Sequence, residues 1–299
     1  MLNVKVAVVQ MVSGREPAHN LDVAARLVAD AAAQGAQLVV LPENFAVYNP
    51  VDLPSLAEVA GDTGAPFQSF LSRLARTHHI WLVGGSIPVR PSRQDGDPRV
   101  FSSCLVYNAE GELAARYDKL HLFDVDITDA QGRYRESERF RYGDSVVVVD
   151  TPFGRVGLAV CYDLRFPELF RALTERGAEM IVLPSAFTRL TGQAHWEILV
   201  RARAIENTCF LLAAGQGGRH DARRETWGHS MIVDPWGVVL AGLAEGEGVA
   251  VATLEGRTLA QVRERLPSIA HRRLRVEHSV QRPQLVSAPA NTHAAPDNG

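Results

Sequence analysis

Short runs of β-branched residues alternate along the chain with longer stretches in which apolar side chains recur every three or four positions. "VKVAVVQM" (4–11) reads as a strand, and "NLDVAARLVADAAAQGA" (20–36) as a helix, with Asn20 as its cap and Gly35 near its end. "QLVVLPE" (37–43) is a continuous apolar run, which predicts a strand buried on both faces. A strand, a helix and a second strand in this order imply parallel pairing. After a helix over 66–78 come three strand candidates at 80–89, 101–111 and 112–122, joined by turn signals, which makes the sheet mixed. Residues 123–144 are charged and weakly periodic and predict a long ordered loop.

The second half repeats the alternation. Residues 145–163 form a hairpin turning at Pro152-Phe153-Gly154 and lead into a helix from about Pro167 to Gly177. Then follow a strand, "EMIVLPSAF" (179–187), a helix, "HWEILVRARAIENT" (195–208), and a strand, "CFLLAAGQ" (209–216). A second hairpin, 229–243, turns at Asp234-Pro235-Trp236-Gly237 before "GVAVATLE" (248–255). Two sheets with helices on one face each must stack sheet against sheet, so the fold expected is α/β, a four-layer α-β-β-α sandwich with two mixed sheets. No Pro-, Gly- or Ser-rich linker divides the chain, which predicts a single domain over 1–284. The polar tail 285–299, without large apolar residues, is expected to be disordered.

Composition narrows the partners. With 46% hydrophobic and 22% charged residues in 299, the chain can bury a large core. A net charge of −3, with arginines spread along the chain, gives no phosphate-tracking surface, so neither nucleic acid nor an anionic membrane is expected as a partner. The N-terminal segment has no secretory pattern and no stretch is long enough to span a bilayer, which points to the cytoplasm. Cys104, Cys161 and Cys209 are far apart and predict free thiols. "HWE" and "RHDARRETWGH" hold metal-ligand residue types at no zinc spacing, and "GQGGRH" lacks the lysine of a phosphate loop, so neither a zinc site nor a phosphate-binding loop is expected.

Candidate chemistry gathers at strand ends. Cys161 closes an apolar run in "GLAVCYDLRFPEL" (157–169), where a strand gives way to a helix and a side chain can project into a cleft. A buried cysteine is more often an inert core residue, and by that reading Cys161 joins Cys104 and Cys209. Glu43 ends "LVVLPE" and Lys119 lies near the end of "ELAARYDKLHL"; each is a surface charge or, following apolar residues, a group that must be paired or used. Taken together, an acid, a base and a thiol make a coherent nucleophilic apparatus. Glu43 accepts the thiol proton, the sulfur attacks an amide or nitrile carbon, and Lys119 with the Tyr162 backbone N–H stabilises the oxyanion.

"VVLPENF", "RYDKLHLFD" and "GLAVCYDLRFPEL" resemble, in order and interval, the three signature segments of the nitrilase, or carbon–nitrogen hydrolase, superfamily. The resemblance runs over about residues 4–275 and implies the α-β-β-α sandwich, a catalytic Glu43–Lys119–Cys161 triad, no metal or organic cofactor, and a homodimer or larger homo-oligomer. It also implies a supporting glutamate after the lysine. "YRESERF" offers Glu136, with Glu138 as the near alternative.

Downstream, "PSAFTRLTGQAHWEILVRARAIEN", "GQGGRH" and "GHSMIVDPWG" resemble the deaminated-glutathione amidase branch more than the ω-amidases. The activity this implies is hydrolysis of the terminal amide of a small-molecule 2-oxo amide, releasing ammonia through a cysteine thioester. The alternatives are an ω-amidase on 2-oxoglutaramate or 2-oxosuccinamate, and a catalytically silent scaffold that keeps only the fold. A 2-oxo acid needs an anion clamp. Arg165, four residues past Cys161, is the candidate, with Thr191 adding a hydroxyl and Phe187 walling the aliphatic stem. Against these stand plainer roles: Arg165 paired with Glu168, Phe187 in the core, Thr191 capping a helix. The helices at 167–177 and 195–207 carry apolar stripes that suit the core and, on a second face, a dimer seam.

Overall fold

A computed structural model describes residues 2–91 and 96–274. The expected tail, 285–299, lies outside the described residues. The chain opens with β1 (Asn3–Gln10), α1 (Pro17–Ala33) and β2 (Leu38–Val40), with β1 and β2 parallel as their apolar pattern predicts. Alternation along β1 divides it between two cores: Val4, Val6 and Val8 join one, Ala7 and Val9 the other. Helix α1 starts before Asn20, because Pro17 already supplies the helical φ at its first turn. Asn20 is therefore buried inside the helix and not its cap. Its Oδ1 accepts from the Gly14 N–H (2.8 Å) and its Nδ2 donates to the Ala46 carbonyl (3.0 Å), which ties together the loops after β1 and β2.

β3 (Glu58–Val59) and α2 (Pro66–His78) precede β4 (Trp81–Val83) and β5 (Ile87–Arg90). The single strand expected at 80–89 is thus two, interrupted at Gly84-Gly85-Ser86. The physical reason is contact: Gly85 has φ +56°, and a Cβ there would lie 2.1 Å from the Pro42 carbonyl oxygen. The break lets the chain pass directly beneath Pro42-Glu43. β6 (Val100–Tyr107) and β7 (Leu113–Asp118) form the hairpin that ends at Lys119. Segment 123–144 carries short strands the sequence pattern does not reveal: β8 (Asp124–Asp126) pairs with β9 (Arg133–Arg135), and β10 (Phe140–Arg141) pairs with β6.

The second half contains β11 (Val148–Thr151), β12 (Gly154–Leu158), α3 (Pro167–Glu175), β13 (Met180–Ser185), α4 (Arg189–Asn207) and β14 (Phe210–Gly215). β15 (Met231–Val233) and β16 (Val239–Gly242) make the second hairpin, whose turn is held by Asp234 Oδ1 accepting from the Trp236 and Val238 N–H groups. β17 (Gly248–Glu255) crosses to the first sheet and pairs antiparallel with β1 before α5 (Gly256–Arg265). Helix α4 begins six residues before His195. Thr188, not Thr191, caps it, its hydroxyl oxygen accepting from the Thr191 N–H at 3.4 Å.

The first sheet runs β17-β1-β2-β4-β6-β5-β3, with β7 and β10 also paired to β6, and the second runs β11-β12-β13-β14-β15-β16. One apolar core fills the space where they face each other and continues to α3 and α4; a second lies between the first sheet and α1 and α2. This is the predicted four-layer sandwich. A bridge from Met11 to Gln216 joins the sheets at one edge of the interface, and Gln10 Nε2 donates to the Ala244 and Gly246 carbonyls beside it. Helix α3 buries its large apolar residues Leu169, Phe170 and Leu173, whereas α4 leaves Leu190, Ile198 and Ile205 exposed. The unpartnered apolar face thus belongs to α4 and not to both helices.

Candidate active site

Ligands of open α/β sheets gather at the carboxyl ends of strands, and three such ends meet here. Glu43 follows β2, Lys119 follows β7, and Cys161 follows β12 at the start of a 3-10 turn over Cys161–Arg165. All three line a cavity of about 490 Å3. They are 4%, 2% and 8% exposed, so charge here is almost fully removed from water.

The charges compensate one another. Lys119 Nζ donates to Glu43 Oε1 at 2.8 Å and to both carboxylate oxygens of Glu136 at 2.9 Å. Glu136 Oε2 also accepts from the Phe123 N–H at 2.6 Å. Of the two glutamates in "RESER", the structure thus brings Glu136 to the lysine, while Glu138 lies at the exposed cavity wall. Burial works against the Lys119 ammonium, but Glu136 and Glu43 overcome it and hold its pKa well above the usual lysine range. Burial, opposed by Lys119 and reinforced by Glu43, raises Glu136 above the usual carboxylate range. The Cys161 thiol is pushed well up, first by burial and then by the Glu43 carboxylate. The resting sulfur is therefore a thiol.

Cys161 is held in the left-handed region, φ +48°, which costs a non-glycine residue about 1–3 kcal/mol and is tolerated where the surroundings over-determine it. What determines it is Asp163. This fully buried carboxylate accepts from the Val160 N–H (2.8 Å), closing the turn, and from Tyr117 Oη (2.6 Å). It also accepts from the His121 backbone N–H (3.1 Å) and faces His121 Nδ1 at 2.7 Å. Tyr117 and His121 flank Lys119, so one carboxylate locks the lysine segment to the nucleophile's turn. The Ala186 N–H after β13 points at Cys161 Sγ from 3.4 Å.

Glu43 and Lys119 are seated from behind. Gln216 Nε2 donates to the Glu43 carbonyl (3.1 Å), and Ser86 Oγ accepts from the Asn44 N–H (3.0 Å), which uses the break between β4 and β5. Gly143 donates to the Lys119 carbonyl (2.9 Å), and a Cβ on Gly143 would lie 2.0 Å from the Asp118 oxygen. Cys104 and Cys209, by contrast, are core thiols, each pushed up to about 12 by burial.

The remaining predicted residues all border the cavity. Arg165 does not pair with Glu168. Its Nη1 lies 3.2 Å from His195 Nδ1, and its guanidinium sits over the rings of Phe187 (5.2 Å) and Tyr162 (5.9 Å). Phe187 is buried against Trp196 and also walls the cavity, and the Thr191 hydroxyl meets that of Thr188 at 2.8 Å. Among the described residues no group of three His, Cys, Asp or Glu side chains could hold a metal ion. Sequence reasoning missed Asp163, Tyr48, Arg139 and Arg224. For Asp163 there was a signal, an acid two residues past the cysteine inside an otherwise apolar segment.

The sandwich and the acid–lysine–thiol cluster define the class: residues 5–264 match the carbon–nitrogen hydrolase family, and the chain belongs to it, within the nitrilase superfamily. It is 44% identical over 274 residues to a deaminated glutathione amidase from Yersinia enterocolitica, covering 91% of this chain and 94% of that one. It is 38% identical over 275 residues to Omega-amidase NIT2-A from Xenopus laevis, covering 91% and 96%. Among solved structures, a mutant of the amidase from Nesterenkonia sp. AN1, carrying acrylamide added to its active-site cysteine, is 29% identical. It covers 88% of this chain and 98% of that one at a TM-score of 0.72. The chain is thus a carbon–nitrogen hydrolase, an enzyme and not a silent scaffold.

Proposed function

We propose that the protein is an amidase of 2-oxo amides that acts on deaminated glutathione, with Cys161 as nucleophile, Glu43 as general base and acid, and Lys119 as oxyanion stabiliser. The observation that carries the reading is the charge-balanced cluster of Glu43, Lys119 and Glu136 beside a buried thiol at the base of a cavity with arginines in its wall.

Because the thiol resists ionisation, its proton passes to Glu43 as sulfur attacks the amide carbon. The C=O electrons move to oxygen, where the Lys119 ammonium and the Tyr162 N–H take the charge. Three Lys119 contacts go to carboxylate oxygens, two of them on Glu136, so one N–H can turn to the oxyanion while the ammonium stays paired. Collapse breaks the C–N bond, and Glu43 returns its proton to the departing amine. Water, deprotonated by Glu43, then adds to the thioester and releases the acid and the thiol. Arg165, with Phe187 and Thr191, binds the 2-oxo acid end.

The chemistry sharpens one expectation: the amide of deaminated glutathione joins the 2-oxo acyl group to a dipeptide. Its leaving group is therefore the cysteinylglycine amine, and ammonia comes only from primary amides such as 2-oxoglutaramate. The second reading is an ω-amidase acting on 2-oxoglutaramate or 2-oxosuccinamate, and the relative at 38% identity, named an omega-amidase, supports that class. Initial rates on both substrates decide between them, and no hydrolysis of either rejects both.

A homodimer through α4 is part of this proposal. Leu190, Ile198 and Ile205 are exposed beside the β15–β16 turn, where Trp236 and Val238 are also exposed. Light scattering of wild type and Ile198→Asp tests it, the charge converting dimer to monomer. Three free thiols support a reducing, cytoplasmic setting.

A further inference from the structure

The cavity holds a second group of cations that the mechanism leaves idle. Arg139 and Arg224 both line it, and among the described residues neither guanidinium has a carboxylate within ion-pairing distance. Arg135, in the same wall, is by contrast paired with Asp126 at 2.8 Å. Among the described residues Arg139 Nη2 donates to the Pro50 carbonyl alone (2.7 Å). Arg224 lies over the Tyr134 ring at 5.6 Å, and its Nε is buried with no hydrogen-bond partner among the described residues. A buried N–H left unpaired destabilises the site, and a bound acceptor removes that cost. The pair is also strained electrostatically: Arg139 is pushed below the usual arginine range by burial and then by the charge of Arg224.

Tyr48 locates the pair relative to the chemistry. Buried and stacked on His220 (3.9 Å), it presents its hydroxyl to the charges of Arg224, Glu43 and Cys161 alike. Arg224 therefore shares the Tyr48 hydroxyl with the reacting centre, and Arg139 lines the same cavity. Arg165 sits elsewhere, on the turn that carries Cys161. An amide has an acyl half and an amine half, and the cavity offers a cationic site for each.

We propose that Arg139 and Arg224 form a second anion subsite, which takes a carboxylate carried by the amine half of the substrate, as at the C-terminus of a peptide. The inference rests on the amidase reading above and assigns its leaving-group specificity. A carboxylate between two guanidinium groups accepts charge-assisted hydrogen bonds, including one from the orphaned Nε. A substrate without that carboxylate leaves the arginines unpaired, and discrimination by an unpaired buried group is strong.

The test reads binding, separately from turnover. Catalytically inactive Cys161→Ala protein is titrated calorimetrically with deaminated glutathione and with its C-terminal carboxamide. The subsite predicts that the carboxamide binds at least about tenfold more weakly. In Cys161→Ala/Arg224→Gln that ratio falls towards one. Equal binding of the two ligands to Cys161→Ala overturns the proposal, as does binding of neither, and the ligand comparison stands even where the double variant fails to fold. Failure of the amidase reading looks different: wild type turns over neither deaminated glutathione nor 2-oxoglutaramate, whatever the binding ratio.

Discussion

Two regions of one cavity treat charge in opposite ways. At the base, Lys119 is enclosed by Glu43 and Glu136, and the ammonium has its partners before any substrate arrives. On the walls, among the described residues, Arg165 has a histidine nitrogen and two aromatic faces, while Arg139 has a carbonyl and Arg224 lies over the Tyr134 ring. The closed region is preorganised: its dipoles and charges are fixed, so little reorganisation remains when the oxyanion forms. The open region is incomplete until an anion enters. On the function proposed above, chemistry belongs to the first and recognition to the second.

The sharpest break of this contrast falls on the closed region. Cys161→Ala should lower turnover of 2-oxo amides by roughly four to six orders of magnitude, as loss of a covalent nucleophile does, measured by steady-state release of the 2-oxo acid. Lys119→Met removes both the oxyanion donor and the countercharge of two buried carboxylates. It should cost about two to three orders of magnitude in kcat and about 3–5 kcal/mol in stability by urea unfolding. Unchanged stability would mean the base of the cavity is not closed as described.

Asp163→Asn probes the lock between the two halves of the closed region. Tyr117 and His121 lose an anionic acceptor, and the expected result is a fall of about tenfold or more in kcat, with about 1–3 kcal/mol of stability lost. Arg165→Gln acts on the open region, raising KM about tenfold with a smaller change in kcat. A fall in kcat alone would place Arg165 with the chemistry.

The pH dependence carries the same distinction. Burial raises Glu136 above the usual carboxylate range, so the folded state binds its proton more readily than the unfolded chain does. Its contribution to stability is present below the unfolded pKa and lost as pH rises through the folded one. Protonating Glu136 removes a countercharge from Lys119, so its titration should add an acid-side fall in kcat/KM above about 4.3, the ordinary glutamate value, in a pH–rate profile. A limb at or below that value would contradict the assignment.

Much of the closed region was legible in the sequence because its members announce a conflict: Glu43, Lys119 and Cys161 each interrupt or end an apolar run. The alternation of runs likewise carried the four layers. Local geometry was not legible where tertiary contact sets it. Periodicity marks the buried face of α4 but not its first turn, which Thr188 determines, and the apolar run 80–89 hides a break that exists because Gly85 lies against Pro42. Asp163 depends on Tyr117 and His121, more than 40 residues earlier, and so shows no local pattern. Arg224 sits in a charged segment, and its significance lies in which partners the folded chain withholds from it.

The central claim is that sulfur of Cys161 carries the acyl group. Wild-type protein mixed with deaminated glutathione, acid-quenched within the first turnover and digested, should show the 2-oxoglutaryl mass on the peptide containing Cys161 by mass spectrometry. Turnover with that peptide unmodified, or with the acyl mass on Cys104 or Cys209, would contradict it.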